Sequence, residues 1–120
     1  AIIPAAVSGV PAQNGLFREN VVKGWIKADT IGGITDSYNV SSIVDTGGGR
    51  VTISWDRDFV NGTYVPLVCA QNAGSAGTPV FCIVSNVDAP NTGAVEVNTY
   101  NSTGTLVDPN YFLVLAIGDQ

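Results

Sequence analysis

The 120-residue chain has no histidine, no methionine and only two cysteines. Without histidine, a serine or cysteine nucleophile has no ordinary base near neutral pH, and no imidazole can join the cysteines in a metal site. Cys69 and Cys82 also lack the CxxC spacing of zinc or redox motifs. A hairpin centred near Ser75-Ala76 would set 69 opposite 82, which leaves two alternatives, buried free thiols or a cross-strand disulfide. Charge is scarce as well: 12% of residues are charged, against about 25% in typical soluble domains, while 45% are hydrophobic. Such a thin charged coat implies that part of the surface is hidden against copies of the chain or a larger assembly. The net charge of -5 and pI near 4.2 argue against a nucleic-acid partner, since Arg18, Lys23, Lys27, Arg50 and Arg57 form no basic run. No apolar stretch approaches the ~20 residues that span a bilayer, so membrane insertion is not expected. No charged-then-apolar signal sequence opens the chain either, and its first residue, Ala1, reads as a processed product, a fragment or a lost initiator.

What is present is period-2 alternation. From Arg50 to Trp55, Val51, Ile53 and Trp55 fall on one face with Thr52 and Ser54 on the other, the pattern of a half-buried strand. Tyr38 to Val44 alternates less cleanly, with Tyr38, Val40, Ser42 and Val44 on one side. Between the two runs lies Asp45-Thr46-Gly47-Gly48-Gly49, whose residues take positive φ cheaply and let the chain reverse. If Val44 pairs with Val51, Val40 falls opposite Trp55. A phosphate-cradling reading of these glycines would want a helix after them, and a β-rich run follows instead. Upstream, Val22, Gly24, Ile26 and Ala28 alternate with Lys23, Trp25 and Lys27, so Trp25 is either exposed or pressed against a neighbour.

Downstream, Tyr64 to Ala70, Val80 to Val87 and Tyr111 to Ile117 are apolar on both faces, which predicts protein cover on both sides. Val95, Val97 and Thr99 alternate with Glu96 and Asn98, which predicts a half-exposed strand. Turn signals recur about every 8 to 12 residues and helical spacing is missing. The expected fold is therefore all-β, an antiparallel β-sandwich of about seven to eight strands occupying residues 20–120. Residues 1–19 carry two prolines within an uncharged opening, Ala1 to Asn14, and read as an extended arm whose Ile2 and Ile3 want a partner surface.

The chemical candidates are few. Asp56 with Asp58, or Asp36 with Asp45, are the available carboxylate pairs, but both fall in loop or turn contexts that suit solvated charge. Asp56-x-Asp58 shows no cage of the about 6 to 8 oxygens that calcium takes. No catalytic residue, no metal site and no cofactor are expected, and enzyme activity is not. Glycan recognition by a β-domain uses exposed aromatics beside amides and carboxylates, for which Trp25, Tyr38 and Tyr100 are the candidates, against packing in the core or between subunits. Leu113 and Val114 are the candidate interface residues of the last strand, since a small two-layer domain covers only one of its faces.

The runs NVVKGWIKADTIGGITDSYNVSSIVDTGGGRVTISW and VEVNTYNSTGTLVDPNYFLVLAIGD resemble a small β-domain of tail-fibre and other virion-surface proteins of tailed phages. The features that carry the likeness are the NVVKGW opening, the Ser37-Tyr38-Asn39-Val40-Ser41-Ser42 segment and the closing Asn101-Ser102-Thr103-Gly104 to Asp108 segment. The likeness covers Asn20 to Asp119. It implies a β-sandwich that forms a homotrimer and is displayed on the virion, after assembly in the host cytoplasm, with the arm contacting other virion proteins. The chain departs from the pattern in having almost no fibre shaft, which leaves fibre tip and capsid decoration both open. The alternative role is a receptor-binding domain for a host cell-surface glycan.

Overall fold

The computed structural model describes residues 21–29, 32–71, 79–85 and 90–120. The arm, including Ile2 and Ile3, and the Ser75-Ala76 turn lie outside the described residues. Among the described residues eight strands follow in order: β1 (Val22–Asp29), β2 (Ile34–Tyr38), β3 (Val40–Gly47), β4 (Arg50–Trp55), β5 (Val65–Gln71), β6 (Val80–Val84), β7 (Ala94–Asn101) and β8 (Tyr111–Ile117). Two four-stranded antiparallel sheets result, β2-β1-β8-β5 and β3-β4-β7-β6, and they face each other as a β-sandwich. The first is called the front sheet below and the second the back sheet.

The alternation written in the sequence decides which side chains meet between the sheets. The front sheet sends in Ile26 and Ala28 from β1 and Phe112, Val114 and Ala116 from β8; the back sheet sends in Val51, Ile53 and Trp55 from β4 and Val95 and Val97 from β7. Each of the larger aliphatic or aromatic side chains among them contributes ~1.5–3 kcal/mol by leaving water, and the alanine methyls less. Trp55 is the largest of them. Its indole Nε1 donates to the Tyr64 hydroxyl at 3.1 Å, and that hydroxyl donates on to the Ala94 carbonyl at 2.9 Å. Phe59 stacks on Tyr64 with ring centroids 3.9 Å apart, and both rings meet Trp55 edge-on. The six-membered ring of Trp55 lies against Gly24 of β1, where an added Cβ would come within 2.7 Å of it.

Two irregularities place the strands. Tyr38 and Val40, expected in one strand, lie in different sheets, because Asn39 between them takes φ 59 and turns the chain across. Asparagine tolerates that conformation, and its side-chain carbonyl accepts from the Arg57 N–H at 2.7 Å, holding the crossing in place. The β3–β4 hairpin then pairs Val40 with Trp55 as expected, but a bulge between Val40 and Ser42 moves Val44 opposite Thr52 and Asp45 opposite Val51. Val44 is therefore an outward, 53% exposed residue instead of a partner of Val51. At the hairpin turn Gly49 has φ 71, and a Cβ there would stand 2.6 Å from the Val107 carbonyl. Its N–H donates to the Asp108 carboxylate, so the turn is bound to the segment that leads into β8.

The expectation of a half-exposed β7 is overturned. Glu96 and Asn98 point away from the core yet are only 1% and 7% exposed. Arg50, one strand over, reaches the Glu96 carboxylate at 3.1 Å, and the Asn98 amide, oriented with its nitrogen toward the same oxygen, donates to it at 3.1 Å. A paired carboxylate is tolerated under cover where a lone one would not be.

The two tryptophans separate the contributions of core and surface. Trp55→Ala empties a 3%-exposed site and is expected to cost ~3–5 kcal/mol, whereas Trp25→Ala, at 38% exposure, costs well under that. Urea denaturation midpoints of the two variants check this: similar midpoints would remove Trp55 from its place at the centre.

Candidate interaction face

The strands of the front sheet set a row of side chains across its outward surface. Trp25 pairs with Tyr38 on one side and Leu115 on the other, and Leu115 pairs with Leu67, so Tyr38, Trp25, Leu115 and Leu67 cross all four strands in line. The next row runs Asp36, Lys27, Leu113 and Cys69. Leu113 and Leu115 form the floor of an open depression of about 290 Å³ walled by Trp25, Lys27, Leu67 and Cys69. Tyr38, Leu67 and Val65 are exposed over more than half their surface. Lys27 does not interrupt this surface, because its ammonium folds over the Tyr111 ring, 4.5 Å from the centroid. Lys23 is drawn to the sheet margin, where its ammonium donates to the Gly118 carbonyl at 2.8 Å.

The sequence candidates are thus partly gathered and partly dispersed. Trp25 and Tyr38 stand side by side on the front face. Tyr100 lies on the outward face of the back sheet, opposite Phe81, and does not join them. Leu113 and Val114 both border the depression, but Val114 is only 4% exposed and its side chain belongs to the core of the single chain. Leu67 and Leu115 were not singled out from sequence, although the two-sided apolar pattern of β5 and β8 contains them. The carboxylates give no cleft: Asp56 and Asp58 are exposed in the loop after β4, Asp36 is exposed on β2, and Asp45 accepts from the Gly47 N–H at the hairpin turn. The side-chain oxygens of Asn61 and Asn101 are engaged in their own turns, accepting from the Thr63 and Thr103 N–H groups.

The cysteines do not face each other across a hairpin. β5 and β6 belong to different sheets, so Cys69 pairs with Leu113 and Cys82 with Thr99, and both thiols are free. Cys69 is exposed on the front face, and Cys82 turns inward against the core. Burial pushes the Cys82 thiol up to about 11, the Thr99 hydroxyl beside it works the other way, and Cys69 adds a small upward push. Burial also raises the Tyr64 phenol, partly offset by its hydrogen bond from Trp55.

Comparison with family models, curated proteins and solved structures finds no match to this chain. The arrangement is suited to apolar contact and to ring stacking.

The thiols supply a pH-dependent expectation. A folded-state pKa raised from 9.0 to about 11 means that Cys82 keeps a proton the unfolded chain would release. The stability linked to that proton is complete below pH 9 and is lost as pH rises through about 11, and the raised Tyr64 acts in the same direction. Denaturation midpoints are expected to fall across that window, and to fall less in Cys82→Ala. In the folded chain a maleimide should modify Cys69 promptly and Cys82 slowly, as peptide mapping after brief labelling would read; equal labelling of the two would contradict the burial of Cys82.

Proposed function

We propose that the protein is a non-enzymatic structural component of a tailed-phage virion, a homotrimeric fibre or capsid-decoration subunit displayed on the particle surface. The observation that carries this reading is the apolar outward surface of the front sheet, crossed by Tyr38, Trp25, Leu115 and Leu67, on a chain with only 12% charged residues. An apolar face of this extent on an ordinary monomer promotes association, and burying it between copies removes that exposure. The likeness of the NVVKGW and SYNVSS segments to phage surface domains supplies the virion setting and the threefold count. The arm over residues 1–19 is assigned to contacts with other virion proteins.

A second reading is favoured by one particular contact. Trp25 beside Tyr38 offers two adjacent aromatic surfaces on which sugar rings stack, as a receptor-binding domain for a host surface glycan would require. The two readings divide the same face, the Leu113–Leu67 half toward assembly and the Trp25–Tyr38 half toward display.

Native mass spectrometry of the unmodified chain at micromolar concentration is expected to give a trimer, and Leu113→Lys is expected to shift it to monomer, because a second ammonium set beside Lys27 in the contact is left unpaired and strongly disfavoured. Labelling of intact particles with antibody against the chain is expected to decorate their surface. A stable, soluble monomer in the first measurement would remove the assembly reading, and Trp25→Ala binding a glycan array as the unmodified chain does would remove the second.

A further inference from the structure

The loop between β4 and β5 sets one asparagine against its own backbone. Among the described residues only Asn61 is followed by glycine. Its side-chain oxygen accepts from the Thr63 N–H at 2.9 Å and from the Thr63 hydroxyl, so two donors polarise one amide carbonyl. Between them, the Gly62 N–H donates no hydrogen bond among the described residues and has no side chain to shield it. Asn61 and Thr63 are both exposed, so water and hydroxide reach the turn. Packing keeps the glycine in place, since a Cβ at 62 would stand 2.6 Å from the Pro90 carbonyl.

Two other turns share the donors and lack the bare nitrogen. Asn101 accepts from the Thr103 N–H at 2.9 Å and from the Thr103 hydroxyl at 2.7 Å, but Ser102 follows it. Asn91 accepts from the Gly93 and Ala94 N–H groups at 2.9 and 2.8 Å, and Thr92 follows it. In both, the side chain of the next residue crowds the nitrogen that would have to attack. The turn at 61–63 combines a polarised carbonyl with an uncovered nucleophile.

We propose that Asn61 is a site of spontaneous covalent modification, converted in the folded chain to aspartate and isoaspartate with Thr63 stabilising the intermediate. The Gly62 amide nitrogen loses its proton to hydroxide and bonds to the Asn61 side-chain carbonyl carbon. The carbonyl oxygen takes up the negative charge, and the two Thr63 donors already point at it. Collapse expels the side-chain nitrogen as ammonia and leaves a cyclic imide. Water then opens the ring at either carbonyl, giving aspartate or isoaspartate. The rate rises with pH, because the attacking nitrogen must first be deprotonated. Isoaspartate routes the backbone through the former side chain and lengthens it by a methylene. That insertion falls between Val60, whose N–H donates to the Asp119 carbonyl at 2.9 Å, and Tyr64, whose hydroxyl accepts from Trp55. The modification therefore loosens the placement of Tyr64, and it adds a carboxylate to a chain of net charge -5. It is independent of the assembly reading above.

The folded chain is incubated for weeks in mildly alkaline buffer and mapped by peptide mass spectrometry. Asn61 is expected to gain about 1 Da, from loss of ammonia and gain of water, while Asn91 and Asn101 stay unchanged. Methylation by a protein isoaspartyl methyltransferase identifies the isoaspartate fraction. Thr63→Val keeps the N–H donor and the side-chain shape but removes the hydroxyl. It is expected to slow conversion several-fold in the folded chain and to leave the rate in urea, where the turn is gone, unchanged. Loss of one such donor in an enclosed enzyme site slows reaction by ~10²–10³, and water around this turn reduces the effect. Conversion of Asn61 in urea but not in the folded chain would show that the turn protects the residue, and would overturn the proposal. Equal folded-state rates for the unmodified chain and Thr63→Val would do the same, as would conversion of Asn101 as fast as Asn61. After separation by charge, the isoaspartate fraction is expected to unfold at lower urea than the fresh chain, and equal midpoints would overturn the link to Tyr64.

Discussion

The hydrogen bond from the Trp55 indole to the Tyr64 hydroxyl holds the sandwich to a single arrangement. An indole N–H under cover needs an acceptor, and leaving it unmade costs ~1–3 kcal/mol. Tyr64 accepts that bond, and its own hydroxyl donates on to the Ala94 carbonyl at the start of β7. The chain therefore ties the end of β4, the segment before β5 and the start of β7 to one point. The ring of Trp55 also dictates Gly24 in β1, since nothing larger than hydrogen fits there. One side chain in this way fixes the approach of the front sheet to the back sheet, the entry into β5 and the register at which β7 begins.

The polar interactions carry out a different task, which is to hold irregular backbone where the sheets need it. Asn39 turns the chain from the front sheet to the back in a single residue, with its side chain occupied by the backbone of Arg57. Asp108 ties down the Gly49 turn from 59 residues away in sequence. Arg50 and Asn98 converge on Glu96, which lets a carboxylate lie covered on an outward sheet face. None of these bonds needs to contribute much on its own, about 0.5–1.5 kcal/mol for a neutral pair, but each excludes an alternative path for the chain.

Much of this was legible in the residues. The alternation of β4 and β1, the two-sided apolar character of β8 and the turn at Gly47-Gly48-Gly49 gave the fold class, the inward set of Trp55 and the outward set of Trp25, because period-2 burial is a local property of sequence. What stayed hidden depended on three-dimensional neighbours. No local signal tells that Asn39 will split one apparent strand between two sheets, or that a bulge after Val40 will rotate Val44 outward. The supposed pairing of Cys69 with Cys82 assumed that consecutive strands share a sheet, which β5 and β6 do not. Glu96 looked wet because its cover comes from Arg50, 46 residues earlier. The candidate face was only half visible: Trp25, Tyr38 and Leu113 could be named from pattern, but Leu67 and Leu115 join them through strand order, and Tyr100 leaves them for the same reason.

The placement of the two tryptophans has an optical consequence. Trp55 is enclosed and hydrogen-bonded to a phenol, so its emission lies toward shorter wavelengths and shifts red only when the sheets separate. Trp25, on the outward face of β1, emits from a partly hydrated setting and responds to whatever covers that face. The natural sequence thus holds one intrinsic chromophore for the interior and one for the surface, and no other tryptophan confuses them. Opening of the core and occupation of the front face can therefore be followed separately in the unlabelled protein, the first by a red shift and the second by a blue shift or by protection from a soluble quencher.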